Sequence, residues 1–191
     1  MVRSYDMTSR SAAAERTFER IVDATESLVA GGPMSEVTLA SIAEGAGVTV
    51  QTVLRHMGSR DGCIEAVGQR VGARVAQQRG HTAPGDAPAA VRELMAHYEA
   101  EGRLVLNLLA QEHSGDEVAG RAVVEGRAFH RAWVRRCFGP MMPVADRQTV
   151  DALVAATDIY LWKLLRLDLG RSSGATEAVI ARLVGAVLEE S

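Results

Sequence analysis

The chain has 191 residues, 47% of them apolar and 4% aromatic, and 21 basic against 24 acidic side chains leave a net charge of −3. That length can bury one sizeable core, and the mixed charge excludes whole-chain disorder and indiscriminate coating of nucleic acid. No apolar run approaches the ~18 residues of a membrane span, residues 1–10 are polar rather than leader-like, and Cys63 and Cys137 make no disulfide framework, so a cytoplasmic chain with free thiols and no membrane partner is expected.

Prolines stand at 33, 84, 88, 140 and 143, and the long intervals between them suit helices, which a mid-helix proline would break. Phe18, Ile21, Val22, Leu28 and Val29 step by three and four along a helix from Ser11 to about Ala30, which Gly31-Gly32-Pro33 stops. Thr38 can cap a short helix whose inward positions are Leu39, Ile42 and Ala43, with Gly47 at its end. Thr49 can cap a second, from Val50 to about His56, and Ser59 a third, from Arg60 to about Gln78, with Asp61 favourably placed in its first turn. Residues 80–88 predict a loop. Helices are then expected over Ala89–Glu101, Arg103–Glu112 and Glu117–Cys137, a loop over 139–143, and final helices over Arg147–Leu169 and Thr176–Glu190. No strand alternation or fixed repeat interrupts this pattern, so the expected fold is all-α with about nine helices. It divides into an N-terminal unit over 1–60, a connecting helix over 60–78 and a larger helical unit over 80–191.

The stretch TLASIAEGAGVTVQTVLRHMGSRDG, from Thr38, places two short helices around a glycine turn. A small Ala43 permits their close crossing, and Val48 plugs the space beneath the turn. This is a helix-turn-helix, whose second helix fits a DNA major groove and presents its N-terminal side chains to base edges. Together with RIVDATESLVAGG before it and CIEAV after it, the segment from Arg20 to Val67 resembles the TetR family of transcriptional regulators. The closing segments YLWKLLRLDLG and ATEAVIARLVGAVL are similar to the last two helices of many members. Leu54 and Met57 depart from the pattern, which usually has aromatics there, and Leu54 lacks the phosphate-contacting hydroxyl common at that place; Gln51 stands where a small residue is usual.

The resemblance implies a pseudo-palindromic double-stranded DNA operator as partner, and a protein that is not an enzyme and needs no cofactor. Candidate DNA-binding residues are Thr38, Thr49, Gln51, Thr52, Arg55, His56 and Arg60, with Arg10 near the first helix as a further phosphate contact. Gln51 can pair adenine through its amide, whereas Arg55 and His56 suit phosphates. Residues 1–60 hold six arginines and seven acids, so phosphate affinity has to come from placement rather than net charge.

Six of the eight aromatics fall in the middle and late helices, at Tyr98, Phe129, Trp133, Phe138, Tyr160 and Trp162. The resemblance implies a small-molecule effector there, and Met95, Tyr98, Asn107, Gln111, Phe129, Trp133, Asp158 and Trp162 are its candidate ligand-binding residues. His97, His113 and His130 are further polar candidates, with Met141 as an adaptable wall. The histidine spacings of 16 and 17 fit no metal-ligand pattern, and no nucleophile motif or phosphate-cradling loop occurs. From Ala178 to Leu188 only Arg182 is charged. A helix apolar on nearly all sides needs cover, which predicts a homodimer through the last two helices. The expected function is therefore a ligand-released repressor. Its rival is a helical small-molecule-binding or scaffold protein that has lost specific DNA binding.

Overall fold

A computed structural model describes residues 3–142 and 146–190, with side chains from residue 11 onward. The expectation for Arg10 as a phosphate contact, and Pro143 in the second loop, lie outside what is described.

Among the described residues the chain is all-α, with no strand. Helix α1 (Arg3–Gly31) is followed by α2 (Leu39–Ala46), α3 (Val50–Met57) and α4 (Arg60–Gln78). The C-terminal unit contains α5 (Ala87–Ala110), α6 (Glu117–Phe138), α7 (Arg147–Ala156), α8 (Ile159–Lys163), which runs into a π-helical turn over Leu164–Asp168, and α9 (Ser173–Glu189).

Polar caps set most of these starts. Asp86, Asp116, Asp146, Asp158 and Ser172 each accept a backbone N–H at the head of α5, α6, α7, α8 and α9. The first helix starts at Arg3 rather than Ser11 and the last at Ser173 rather than Thr176, and two further expectations change more deeply. The helices expected over Ala89–Glu101 and Arg103–Glu112 are one, because Gly102 is not a stop. A Cβ there would lie 2.7 Å from the Trp162 ring, so the missing side chain makes room for an indole between α5 and α8. The single helix expected over Arg147–Leu169 is broken instead at Thr157, where Asp158 caps a new start by accepting from Tyr160 N at 2.8 Å. One fusion and one break leave the number of α-helices at nine among the described residues.

Two apolar cores form. Ile21, Ile42, Val53 and Ile64 close the N-terminal unit, and Leu104 from α5 and Val118 from α6 reach into the same cluster. Leu94, Val134, Phe138, Leu153 and Ile180 centre the larger one. Cys63 and Cys137 are buried free thiols, one in each core, and burial raises both thiol pKa values.

Helix α4, which gives Cys63 and Ile64 to the N-terminal core, runs on towards the C-terminal unit and is held by charge along its length. Arg70 pairs with Glu19 and Asp23 of α1, and Arg74 bridges Glu26 of α1 at 2.6 Å to Glu101 of α5 at 2.9 Å. These carboxylates keep the Arg74 guanidinium more firmly protonated than usual. Asn107 of α5 donates to Val29 O and Gly32 O, satisfying carbonyls left open where α1 ends. A displacement at the far end of α4 therefore meets the N-terminal unit as one braced body.

Candidate functional site

The helix-turn-helix is fixed by local chemistry. Thr38 and Ser41 form a reciprocal capping box on α2: Ser41 N donates to Thr38 Oγ1 at 3.0 Å, and Thr38 N to Ser41 Oγ at 2.9 Å. Gly47 turns the chain with a positive φ of 62°, and Val48 N returns to Ala43 O at 2.9 Å. Thr49 Oγ1 then accepts from Thr52 N and caps α3. Val53, fully buried, pins α3 to the N-terminal core. Close approach of α2 to α1 also depends on Gly45, whose added Cβ would lie 3.1 Å from Ala24 Cβ.

With one face so anchored, α3 turns Val50, Gln51 and Arg55 to solvent and leaves Thr52 and His56 half-exposed. Arg55 and His56 occupy its last turn. Thr38 and Thr49 sit exposed at the two helix starts with their hydroxyls engaged in capping. Arg60 is turned inward: its guanidinium donates to Val37 O at 2.6 Å, Met34 O at 2.8 Å and Asp116 Oδ2 at 2.8 Å. Six of the seven candidate DNA residues thus lie on or beside α3 and the head of α2, while the seventh braces the unit from behind.

The candidate ligand residues do not converge on one place. Met95, Tyr98, Trp133 and Trp162 are buried in the larger core. Trp162 Nε1 donates to Glu99 Oε1 at 3.0 Å, and Tyr98 OH to Thr157 O at 2.9 Å. Asn107 braces α1, Gln111 ends α5 and Asp158 caps α8. Met141 is half-exposed after α6. His113 lies in an open cleft of about 630 Å³ with Glu117 and Arg121, and another cleft of about 570 Å³ runs between α6 and α7 beside Arg131, Arg135 and Asp151. Neither cleft is lined by the eight candidates.

What the fold does assemble is a buried polar cluster at the far end of α4. Arg79, the residue ending α4, is 3% exposed. Its guanidinium carbon lies 4.1 Å from the centroid of the Trp133 ring and 5.4 Å from that of Phe129. Arg79 Nη2 donates to His130 Nδ1 at 2.9 Å. His130 Nε2 then donates to Thr157 Oγ1 at 3.1 Å, and Thr157 donates to Leu153 O at 2.6 Å. This chain of donors assigns His130 as the neutral Nε2–H tautomer. Burial, reinforced by the Arg79 charge, holds His130 and the neighbouring His97 down to about 3. Burial likewise lowers Arg79 to about 10 and raises the Tyr98 phenol. Arg136 of α6 closes the cluster by donating to Arg79 O and Thr82 O.

Arg79, Arg136 and Thr157 were not among the sequence candidates. The available signal was the ratio of twenty arginines to one lysine, since a guanidinium stacks and forks where an ammonium cannot. Among the described residues, no group of three or more His, Cys, Asp or Glu side chains is placed to hold a metal, and no helix is long and apolar enough to cross a membrane.

Residues 21–67 match the family model described as bacterial regulatory proteins, tetR family. A solved structure of a transcriptional regulator from Rhodococcus sp. Rha1 is similar over 91% of this chain and 96% of that one, with a TM-score of 0.70 and 14% identity. A comparison with curated proteins gives no match.

Proposed function

On the match of residues 21–67 to the tetR family model, we propose that this chain is a DNA-binding regulator of that family, that it binds a pseudo-palindromic operator as a homodimer, and that it acts as a repressor released by a small molecule. The observation that carries this reading is the outward face of α3, where a capped helix presents Gln51 and Arg55 to solvent with Thr52 half-exposed beside them. In the proposal Gln51 and Thr52 contact bases, whereas Arg55, His56 and the capped starts at Thr38 and Thr49 contact phosphates. Residues 1–60 form the DNA-binding unit, α4 the connection and 80–191 the ligand-binding and dimerisation unit.

Selection of bound sequences from random duplex DNA tests this directly. The expected result is an enriched palindrome whose affinity falls about tenfold or more for Gln51→Ala or Thr52→Ala, since each good base contact is worth about 1–3 kcal/mol. The salt dependence should be shallow for a dimer, with a log–log slope no steeper than about −8. Failure to enrich any palindrome would favour the scaffold reading, which the leucine at position 54 and the acid–base balance of residues 1–60 support.

Dimerisation through the last two helices is supported by what they leave uncovered. Tyr160, Leu164 and Leu167 step along one side of α8 and its π-helical continuation, and Val179 and Leu183 along α9, all of them exposed. The opposite side of α9, with Thr176, Ile180 and Val184, packs on α5 and α7. Two apolar rows on neighbouring helices suit a twofold four-helix contact with a second copy. Deleting residues 172–191 is expected to yield aggregates or monomers without operator binding by sedimentation and gel shift; a stable monomer with full DNA affinity overturns the dimer reading.

A further inference from the structure

The Arg79 cluster contains an imbalance that five other arginine contacts do not. Arg60, Arg70, Arg74, Arg127 and Arg166 each meet a carboxylate, whereas Arg79, the most deeply buried of them, forms no salt bridge among the described residues. Its Nε–H has no hydrogen-bond partner, and neither has the indole N–H of Trp133, against whose ring it stacks. Burying a charge and leaving donors unmet are both unfavourable, and a fold keeps such a group where something else completes it.

The surrounding charges define what would complete it. His97 and His130 are neutral, and Arg136 adds a second guanidinium on Arg79 O. Glu93 is the acid nearest in influence, but its Oε1 accepts from His81 N at 2.9 Å and Thr82 N at 3.0 Å, while Oε2 has no partner. Two guanidinium charges against one carboxylate leave a surplus of one positive charge. Tyr98 and the Cys137 thiol, both raised by burial, stay neutral.

Resting on the ligand-released reading above, we propose that Arg79 and Trp133 form the receptor for a single carboxylate, and that the effector is a small organic acid with a flat or slender apolar body. The carboxylate accepts from Arg79 Nε–H and Trp133 Nε1–H, and supplies the missing counter-charge. Phe129 is the route in: its ring centroid lies 5.4 Å from the guanidinium carbon and the residue is 37% exposed, so swinging it aside opens a path from solvent to Arg79. Because Arg79 is the cap residue directly after α4, a group that re-seats it moves the helix whose other end follows α3. Its two side-chain partners, His130 and the Arg136 that holds its carbonyl, both belong to α6, so α6 registers the same event.

The test is calorimetric titration of the full-length protein with benzoate, phenylacetate and octanoate, each beside its uncharged primary amide. The expected result is that at least one acid binds and that its amide binds at least about tenfold more weakly, the loss anticipated for a charge-assisted hydrogen bond. Arg79→Gln removes the buried charge and should abolish this preference; Trp133→Phe keeps an aromatic ring, deletes the N–H and should weaken the acid by about tenfold and its amide by less. Helical content by circular dichroism accompanies each variant, and Trp133→Phe alone decides the matter if Arg79→Gln does not fold. No binding of any acid at millimolar concentration, equal binding of acid and amide, or an unaltered preference in Trp133→Phe each overturns the proposal. Operator release is measured separately. Acid binding without release defeats the ligand-released repressor and spares the receptor, whereas release that ignores both substitutions does the reverse.

Discussion

Replacing Arg60 with alanine is expected to destabilise the protein by about 2–4 kcal/mol in urea unfolding, at least as large as the effect of losing a single base contact on affinity. One guanidinium ties the start of α4 to two other pieces of chain. Val37 and Met34 offer carbonyls from the link between α1 and α2, and Asp116 offers the carboxylate oxygen that its capping role leaves over. The other oxygen of Asp116 accepts from Val118 N and Ala119 N at the start of α6. Burial alone would raise the Asp116 carboxyl, but the Ala119 amide and Arg60 outweigh it and hold the group below its ordinary range. Removing Arg60 takes the donor from Val37 O and from Asp116 Oδ2, while Met34 O keeps only its bond from Val37 N. Arg60→Lys should recover only part of the loss, because an ammonium cannot reproduce the fork. The alternative role is separable: if Arg60→Ala keeps its urea midpoint and loses only operator affinity, the guanidinium serves phosphate rather than the fold.

That contrast shows what local pattern carries and what it does not. The three-helix unit was legible because its signals are local: Thr38, Thr49 and Ser59 each precede the helix they cap, and Gly47 follows the one it ends. Helix α4 matches its expected limits for the same reason. Gly102 misled because a glycine in a helix reads as a weak point, while its actual role is set by Trp162, sixty positions away. Asp158 carried a legible start signal, an acid before an apolar run, that its placement among ligand candidates obscured. Arg60 and Arg79 were illegible by nature. Whether an arginine faces water, phosphate or a distant carbonyl is decided by chain brought in from elsewhere, here Asp116 for one and His130 and Trp133 for the other.

Acid should unfold the protein through His97 and His130 before it touches the carboxylates. Both imidazoles are held down to about 3 by burial and by the Arg79 charge, against an ordinary value of 6.5. A lowered value in the folded state means that protonation favours unfolding. Above pH 6.5 both histidines are neutral folded or unfolded, and stability is retained in full. As pH falls from 6.5 towards 3, the unfolded chain takes up two protons that the fold refuses, costing about 1.4 kcal/mol per pH unit for each, or about 2.7 together. Glu99, held low chiefly by Arg166, and Asp116 begin to contribute only below their ordinary values of 4.5 and 3.8. Between pH 6 and 5 the slope therefore belongs to the histidines. His97→Gln and His130→Gln should each remove about half of it, with unfolding free energies from urea titrations at pH 7, 6, 5.5 and 5 as the measure. A slope that survives both substitutions would mean that the imidazoles are not buried in neutral form. Domains of this kind hold about 5–15 kcal/mol, so a fall of about 5 kcal/mol by pH 4.5 brings the fold close to its limit. The same protonation places a cation on His130 against Arg79, breaks the bond that Nδ1 accepts, and frees the end of α4, so operator affinity should fall with stability over the same range.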